Sequence, residues 1–192
     1  MQLINKYLPE YSFKEVHFCN VKADASSVIE AAAEYQPHND RFFRSMIGLR
    51  ELPMRIGSRL RGKKSNKSLP FGLHNFVMLE KQDGAGLAYG LVGQFWRPDF
   101  GLIAIPDGDT FRHFNSSGIA KLILSFSATL QHDGTTRLVT ETRVFCPDLV
   151  CRLKFAPYWY LIRPVSGIIR GRILNDIKKA SELTSLTSLP PK

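Results

Sequence analysis

The sequence predicts an α+β fold in which one curved antiparallel sheet grips a single long helix. Three observations carry that prediction. The segments run in the order strand, helical stretch, a long series of strands separated by turn residues, and a closing helix. Asp133-Gly134 joins two long alternating segments, which marks a tight hairpin. The closing segment repeats apolar residues at spacings of three and four, so one stripe of it must face another layer.

Taken in order, residues 11–22 mix β-branched, aromatic and charged side chains, and period-two alternation sets Phe13, His17, Cys19 and Val21 on one side of a first strand. Asp24 then stands as an N-cap before a run of good helix formers, residues 25–34. Pro37 separates this helix from a second one, which begins near Asp40 and repeats Phe42, Phe43, Met46, Ile47 and Leu49 among arginines. Residues 61–68 are polar, charged and contain a glycine, and read as an exposed loop.

Strand patterns dominate from there: residues 71–81, 86–96 and 100–105, divided by Asp83-Gly84, Arg97-Pro98-Asp99 and Pro106-Asp107-Gly108. A short strand is expected at 110–114, and two longer ones at 119–132 and 135–146, which with the first strand makes seven. A two-residue type I′ turn at Asp133-Gly134 would set Ala128 opposite Val139, Phe126 opposite Glu141, Leu124 opposite Arg143 and Leu122 opposite Phe145. Ser127 with Thr140 and Ser125 with Thr142 would form the other side. The apolar row turns inward because it has more surface to remove from water, and it takes Glu141 and Arg143 with it. Buried charge is costly, so these two must pair, reach a neighbour, or line a cavity that holds water or ligand.

In the closing helix Tyr158, Ile162, Val165, Ile169, Ile173, Ile177 and Ala180 form the stripe. Pro157 and Pro164 are expected to kink or segment it, since each removes a helical donor. The polar, proline-ended run from Ser181 is expected to fray, giving one domain over 1–180 and a flexible tail over 181–192.

The 192-residue length suits one domain with a sizeable core, and 44% hydrophobic with 22% charged residues excludes a disordered or fibrous chain. No window approaches the roughly 18 unbroken apolar residues of a membrane span. The start lacks the charged-then-apolar pattern of a signal peptide, so a cytoplasmic location is expected. Cys19, Cys146 and Cys151 have no metal-binding or disulfide spacing and read as small buried hydrophobes. The five histidines, His17, His38, His74, His113 and His132, are dispersed, and no metal site is predicted. No phosphate-binding loop, dinucleotide fingerprint or nucleophile elbow is present, so no cofactor is expected.

The net charge of +9 is concentrated in Arg55, Arg59, Arg61, Lys63, Lys64 and Lys67, with no acid from Leu52 to Leu79. Such a stretch is either a solvated face or a docking site for something anionic. An acidic membrane surface or protein suits it better than nucleic acid, because no aromatic stacking residue lies between Arg55 and Lys67.

The run Leu138-Val-Thr-Glu-Thr-Arg-Val144, followed by Phe155-Ala-Pro-Tyr-Trp-Tyr-Leu-Ile-Arg-Pro-Val-Ser-Gly-Ile-Ile-Arg170, resembles the C-terminal part of START-like proteins of the polyketide cyclase and lipid-transfer superfamily (SRPBCC). The segment order resembles that fold over nearly the whole chain. The resemblance implies a helix-grip fold: a seven-stranded antiparallel sheet, two short helices after the first strand, and a long C-terminal helix over a deep cavity. It further implies binding of a hydrophobic or amphipathic small molecule, for transport or sensing. A polyketide cyclase or dehydratase-type enzyme is the alternative, and a module docking through its basic surface is a third. No catalytic motif is shared across the superfamily, so no catalytic residue is carried over. Glu141 and Arg143 are the candidate polar anchors for the ligand, against a structural ion pair as the plainer reading. Tyr89, Trp96, Phe126, Tyr158 and Trp159 are candidate cavity walls or ordinary core, and His74 is a candidate contact or a satisfied strand histidine.

Overall fold

The computed structural model of the chain describes residues 2–35, 75–97 and 99–187. The second predicted helix, the basic stretch from Arg55 to Lys67, His38, His74 and the start of the strand predicted at 71–81 lie outside the described residues. The elements are α1 (Leu3–Tyr7), β1 (Phe13–Val21), α2 (Ala25–Glu34), β2 (Val77–Gln82), β3 (Gly86–Gly93), α3 (Gly108–His113), β4 (Ala120–Leu130), β5 (Thr136–Phe145) and α4 (Leu149–Thr187). The fold is α+β: an open antiparallel sheet in the order β1-β5-β4-β3-β2, with a long C-terminal helix.

Helices cover both faces. Under α4 and α2 lie two apolar clusters. In one, Phe155 packs its ring 5.1 Å from Phe13, 5.9 Å from Trp159 and 5.7 Å from Tyr158. In the other, Ile173 and Ile177 of α4 meet Val28 and Ile29 of α2 over Val21 and Leu138. On the opposite face Leu3, Ile4 and Tyr7 of α1, with Phe111 of α3, cover Ala88, Val92 and Ile123. Fully burying each such side chain contributes about 1.5–3 kcal/mol, so these three clusters dominate the stability of the fold.

Among the described residues the sheet has five strands where seven were predicted. Residues 100–105 make only a single bridge, Val92 to Ile103. Phe100 and Gly101 take positive φ of 57° and 47°, which ends any extended run. The chain can close in there because Gly93 has no side chain: a Cβ would stand 2.8 Å from the Phe100 carbonyl oxygen. Residues 110–114, predicted as strand, belong to α3. Asp107 caps that helix by accepting from the Thr110 N–H at 2.7 Å, so a residue read as a turn divider is a helix start. At its other end the buried Lys121 ammonium donates to the Arg112 carbonyl at 3.2 Å, and burial lowers the lysine pKa.

The β4–β5 hairpin departs from prediction by one residue. Only Gly134 has positive φ (79°), and the Gly134 N–H donates to the Gln131 carbonyl while Gln131 N–H donates to Thr135. This is a type I turn closed by a left-handed glycine, a three-residue loop instead of a two-residue one. Phe126 therefore stands opposite Thr140, Leu124 opposite Thr142 and Leu122 opposite Val144. A one-residue slip turns every side chain of β5 to the other face. Glu141 and Arg143 leave the apolar row, and Thr140 and Thr142 enter it.

The closing helix is continuous over 39 residues, with no break at Pro157 or Pro164. Both prolines are exposed, and so are Leu153 and Tyr160, the residues whose carbonyls lose a partner, so water can satisfy them. The helix also runs past Ser181 to Thr187. The hydroxyls of Ser181, Thr184, Ser185 and Thr187 donate to carbonyls one turn back, at 2.7–3.0 Å, which satisfies polar side chains without leaving the helix. Ala180, predicted in the stripe, is exposed, whereas Leu174 and Ser181 are buried. Asp24 caps α2 as predicted, accepting from Ser27 N–H at 2.9 Å.

Candidate functional site

Among the described residues β1 is an edge strand, paired only with β5, and α4 lies across this pair. The helix-facing row of β1 is Phe13, Glu15, His17, Cys19 and Val21; its cross-strand partners on β5 are Val144, Thr142, Thr140, Leu138 and Thr136. The ends of the row belong to the two apolar clusters under α4. Its middle is polar. His17 Nε2 lies 2.8 Å from Glu15 Oε1, and the Arg170 guanidinium of α4 donates to Thr140 Oγ1 at 3.0 Å.

Glu15 is only 6% exposed and Thr142 only 2%. Glu15 Oε2 and Thr142 Oγ1 are both buried without a hydrogen-bond partner among the described residues, although Glu15 and Thr142 are direct neighbours across the strand pair. A buried acceptor left unpaired costs about 1–3 kcal/mol, and native proteins leave few of them. Above the pair, α4 presents Gly167. A Cβ there would lie 3.5 Å from His17 Cε1 and 3.6 Å from Glu15 Oε1, so the glycine leaves open the space that a larger side chain would fill.

This space opens outward as a groove of about 660 Å³ between β1 and α4, lined by Glu15, Val16, His17, Tyr160, Pro164 and Gly167, with Lys14 and Arg163 at its rim. A second groove of about 400 Å³ continues along the same edge past Cys19, Gly171 and Leu174, sharing Val16 and His17 with the first. A separate recess between α2 and the β2–β3 turn is bounded by Glu30 and Lys81, which pair with each other at 2.6 Å at the surface. Among the described residues that line it, none is a buried polar group in want of a partner, so the chemistry favours the β1–α4 groove.

The residues singled out from sequence fall elsewhere. Glu141 and Arg143 do meet, Arg143 Nε donating to Glu141 Oε1 at 2.7 Å, but on the face away from α4. There Arg143 Nη1 donates to Asn5 Oδ1 at 2.8 Å and to the Leu8 carbonyl at 3.0 Å, and Lys14 Nζ stands 3.2 Å from Glu141. The pair is satisfied, and it ties the N-terminal segment to the sheet. Trp96, Tyr158 and Trp159 pack around Phe155 in the first cluster, while Phe126 is buried in the second and the half-buried Tyr89 packs against it. Burial raises the Tyr89 pKa. These aromatics lie on the α4 side of the sheet but form core, not the groove wall.

Cys146 and Cys151 are buried in the first cluster, where burial pushes both thiols up and away from the reactive thiolate. Among the described residues no three His, Cys, Asp or Glu side chains stand together as a metal site, and no helix is long and apolar enough to cross a membrane.

Sequence reasoning missed Glu15, Thr142 and Gly167 as site residues. Glu15 was visible as the one acid in the row that holds Phe13, Cys19 and Val21. The fold and site thus define an antiparallel sheet and long helix enclosing a polar pair at an edge groove. No protein-family model matches the sequence, and no curated protein or solved structure is significantly similar to it.

Proposed function

We propose that the β1–α4 groove binds an apolar or amphipathic small molecule whose buried end carries a hydrogen-bond donor, such as a hydroxyl or ammonium group. The protein would act as a carrier or sensor of START-like, helix-grip type. One observation carries this reading: Glu15 lines a groove with an apolar flank, and its Oε2 is a buried acceptor with no hydrogen-bond partner among the described residues. A ligand donor reaching that oxygen would recover the cost of burying it. The order β1, α2, strands and a long last helix over the sheet supports the helix-grip comparison.

The test is native mass spectrometry of the protein from its natural host, followed by solvent extraction. A stoichiometric small molecule should be present, should be lost in Gly167→Leu, and should persist in Glu141→Gln. Equal occupancy in the wild type and Gly167→Leu would contradict the assignment.

The Glu15–His17 contact at 2.8 Å favours one second reading, acid–base chemistry of the cyclase or dehydratase type. A carboxylate that orients an imidazole beside an open groove supplies a base and room for a substrate. Recovery of the extracted molecule chemically unchanged after incubation with fresh protein favours carriage; its conversion, abolished by His17→Ala, favours the enzyme.

A further inference from the structure

Helix α4 has a second apolar stripe, facing away from the sheet. Leu149, Val150, Leu153, Tyr160, Leu161 and Ile168 are all more than half exposed, at 52–68%. At about 3.6 residues per turn they gather, with the exposed Pro157 and Pro164, onto roughly a third of the helix circumference over its first five or so turns. Single exposed apolar residues are ordinary, but a continuous row of this length marks a contact surface.

Cations border the row on both sides. Arg152 and Arg163 fall along one margin and Lys154 and Arg172 along the other; all four are exposed. No acidic residue occurs between Leu149 and Asn175. From Gly171 onward the outward positions turn polar, with Gly171, Asn175 and Lys178 taking the place of the leucines. An apolar stripe edged by long basic side chains, with an aromatic residue in it, is the pattern of a helix lying in a lipid–water interface: the stripe enters the acyl boundary while the cations reach the headgroups.

We propose that the outward face of residues 149–168 docks on anionic lipid membranes. Charge complementarity selects this occupant over a second copy of the chain. An isologous contact would set the cationic margins of one helix against those of the other, with no acid in the stretch to separate them. Tyr160 and Pro164 belong to both the stripe and the lining of the β1–α4 groove, so docking would bring the groove to the membrane surface. The proposal does not depend on what the groove holds.

Co-sedimentation of the full chain with vesicles tests it. Binding is expected to phosphatidylcholine vesicles containing phosphatidylglycerol, to weaken steeply with added salt, and to be far weaker with phosphatidylcholine alone. Leu153→Gln combined with Leu161→Gln should reduce partitioning more than tenfold, while Arg152→Gln and Lys154→Gln should each reduce it roughly fivefold. All four side chains are exposed, so the far-ultraviolet circular dichroism of the variants should match the wild type. Absence of binding to the anionic vesicles, or binding unaffected by the leucine changes, would overturn the proposal. So would a concentration-dependent dimer that the leucine changes dissolve.

Discussion

Glu15 is held by two opposing demands. Its Oε1 is satisfied by His17, but its Oε2 is buried beside Thr142 with no partner among the described residues. Removing the carboxylate should therefore stabilise the empty protein: Glu15→Met fills a similar volume, and His17, about a third exposed, can turn to water. The urea-unfolding free energy of the ligand-free variant should rise by about 1–3 kcal/mol, with ligand retention lost. A loss of stability of the same size would mean that Glu15 is a structural residue. In the sequence Glu15 could be read as an acid within an apolar row, but period-two alternation cannot distinguish an acid paired at the surface from one buried under a helix. That distinction depends on α4 crossing above it, which no local pattern of β1 encodes.

At the scale of elements, the start of α2 was legible, whereas the start of α3, the end of α4 and the hairpin's turn geometry were not. Asp24 announced α2 because a short carboxylate before helix formers has one good use. Asp133-Gly134 announced a hairpin but not its loop length, since the same dipeptide closes both two-residue and three-residue loops. The difference of one residue exchanged Glu141 and Arg143 for Thr140 and Thr142 under α4. The prolines misled because their cost depends on which side of the helix they occupy. The start of α4 allows a pH test. The Cys151 and Gly118 N–H groups, and then the Ser117 hydroxyl, donate to Asp148 and hold its carboxyl below the usual 3.8. A depressed folded pKa contributes stability that is complete above 3.8 and is lost as pH falls through the lower folded value. Asp148→Asn should lower Tm near neutral pH, and its deficit against wild type should shrink as pH is lowered from about 5 to about 2. A deficit constant across that range would show that the ionised carboxylate contributes nothing.

Across the whole molecule, the sheet divides the labour. Its α1–α3 face is sealed by apolar packing and by the satisfied Glu141–Arg143 clamp, so that side rigidifies the chain. Its α4 face keeps, between two apolar clusters, a Glu15 carboxylate oxygen without a partner among the described residues, and a groove opens there between β1 and α4. The long last helix and the antiparallel hairpin were legible because each follows from spacing within one stretch of sequence, and the α+β class followed from the order of such stretches. The groove was not, because it lies between β1 and α4, more than a hundred residues apart in the chain. The measurement that bears most directly on this account is a crystal structure of the protein as purified from its natural host, refined finely enough to tell water from an organic group. The account predicts a bound molecule between β1 and α4, with a donor atom within hydrogen-bond distance of Glu15 Oε2 and its apolar part against Val16, Tyr160 and Pro164. A single ordered water bridging Glu15 Oε2 and Thr142 Oγ1, with the remaining groove filled by bulk solvent, would contradict it.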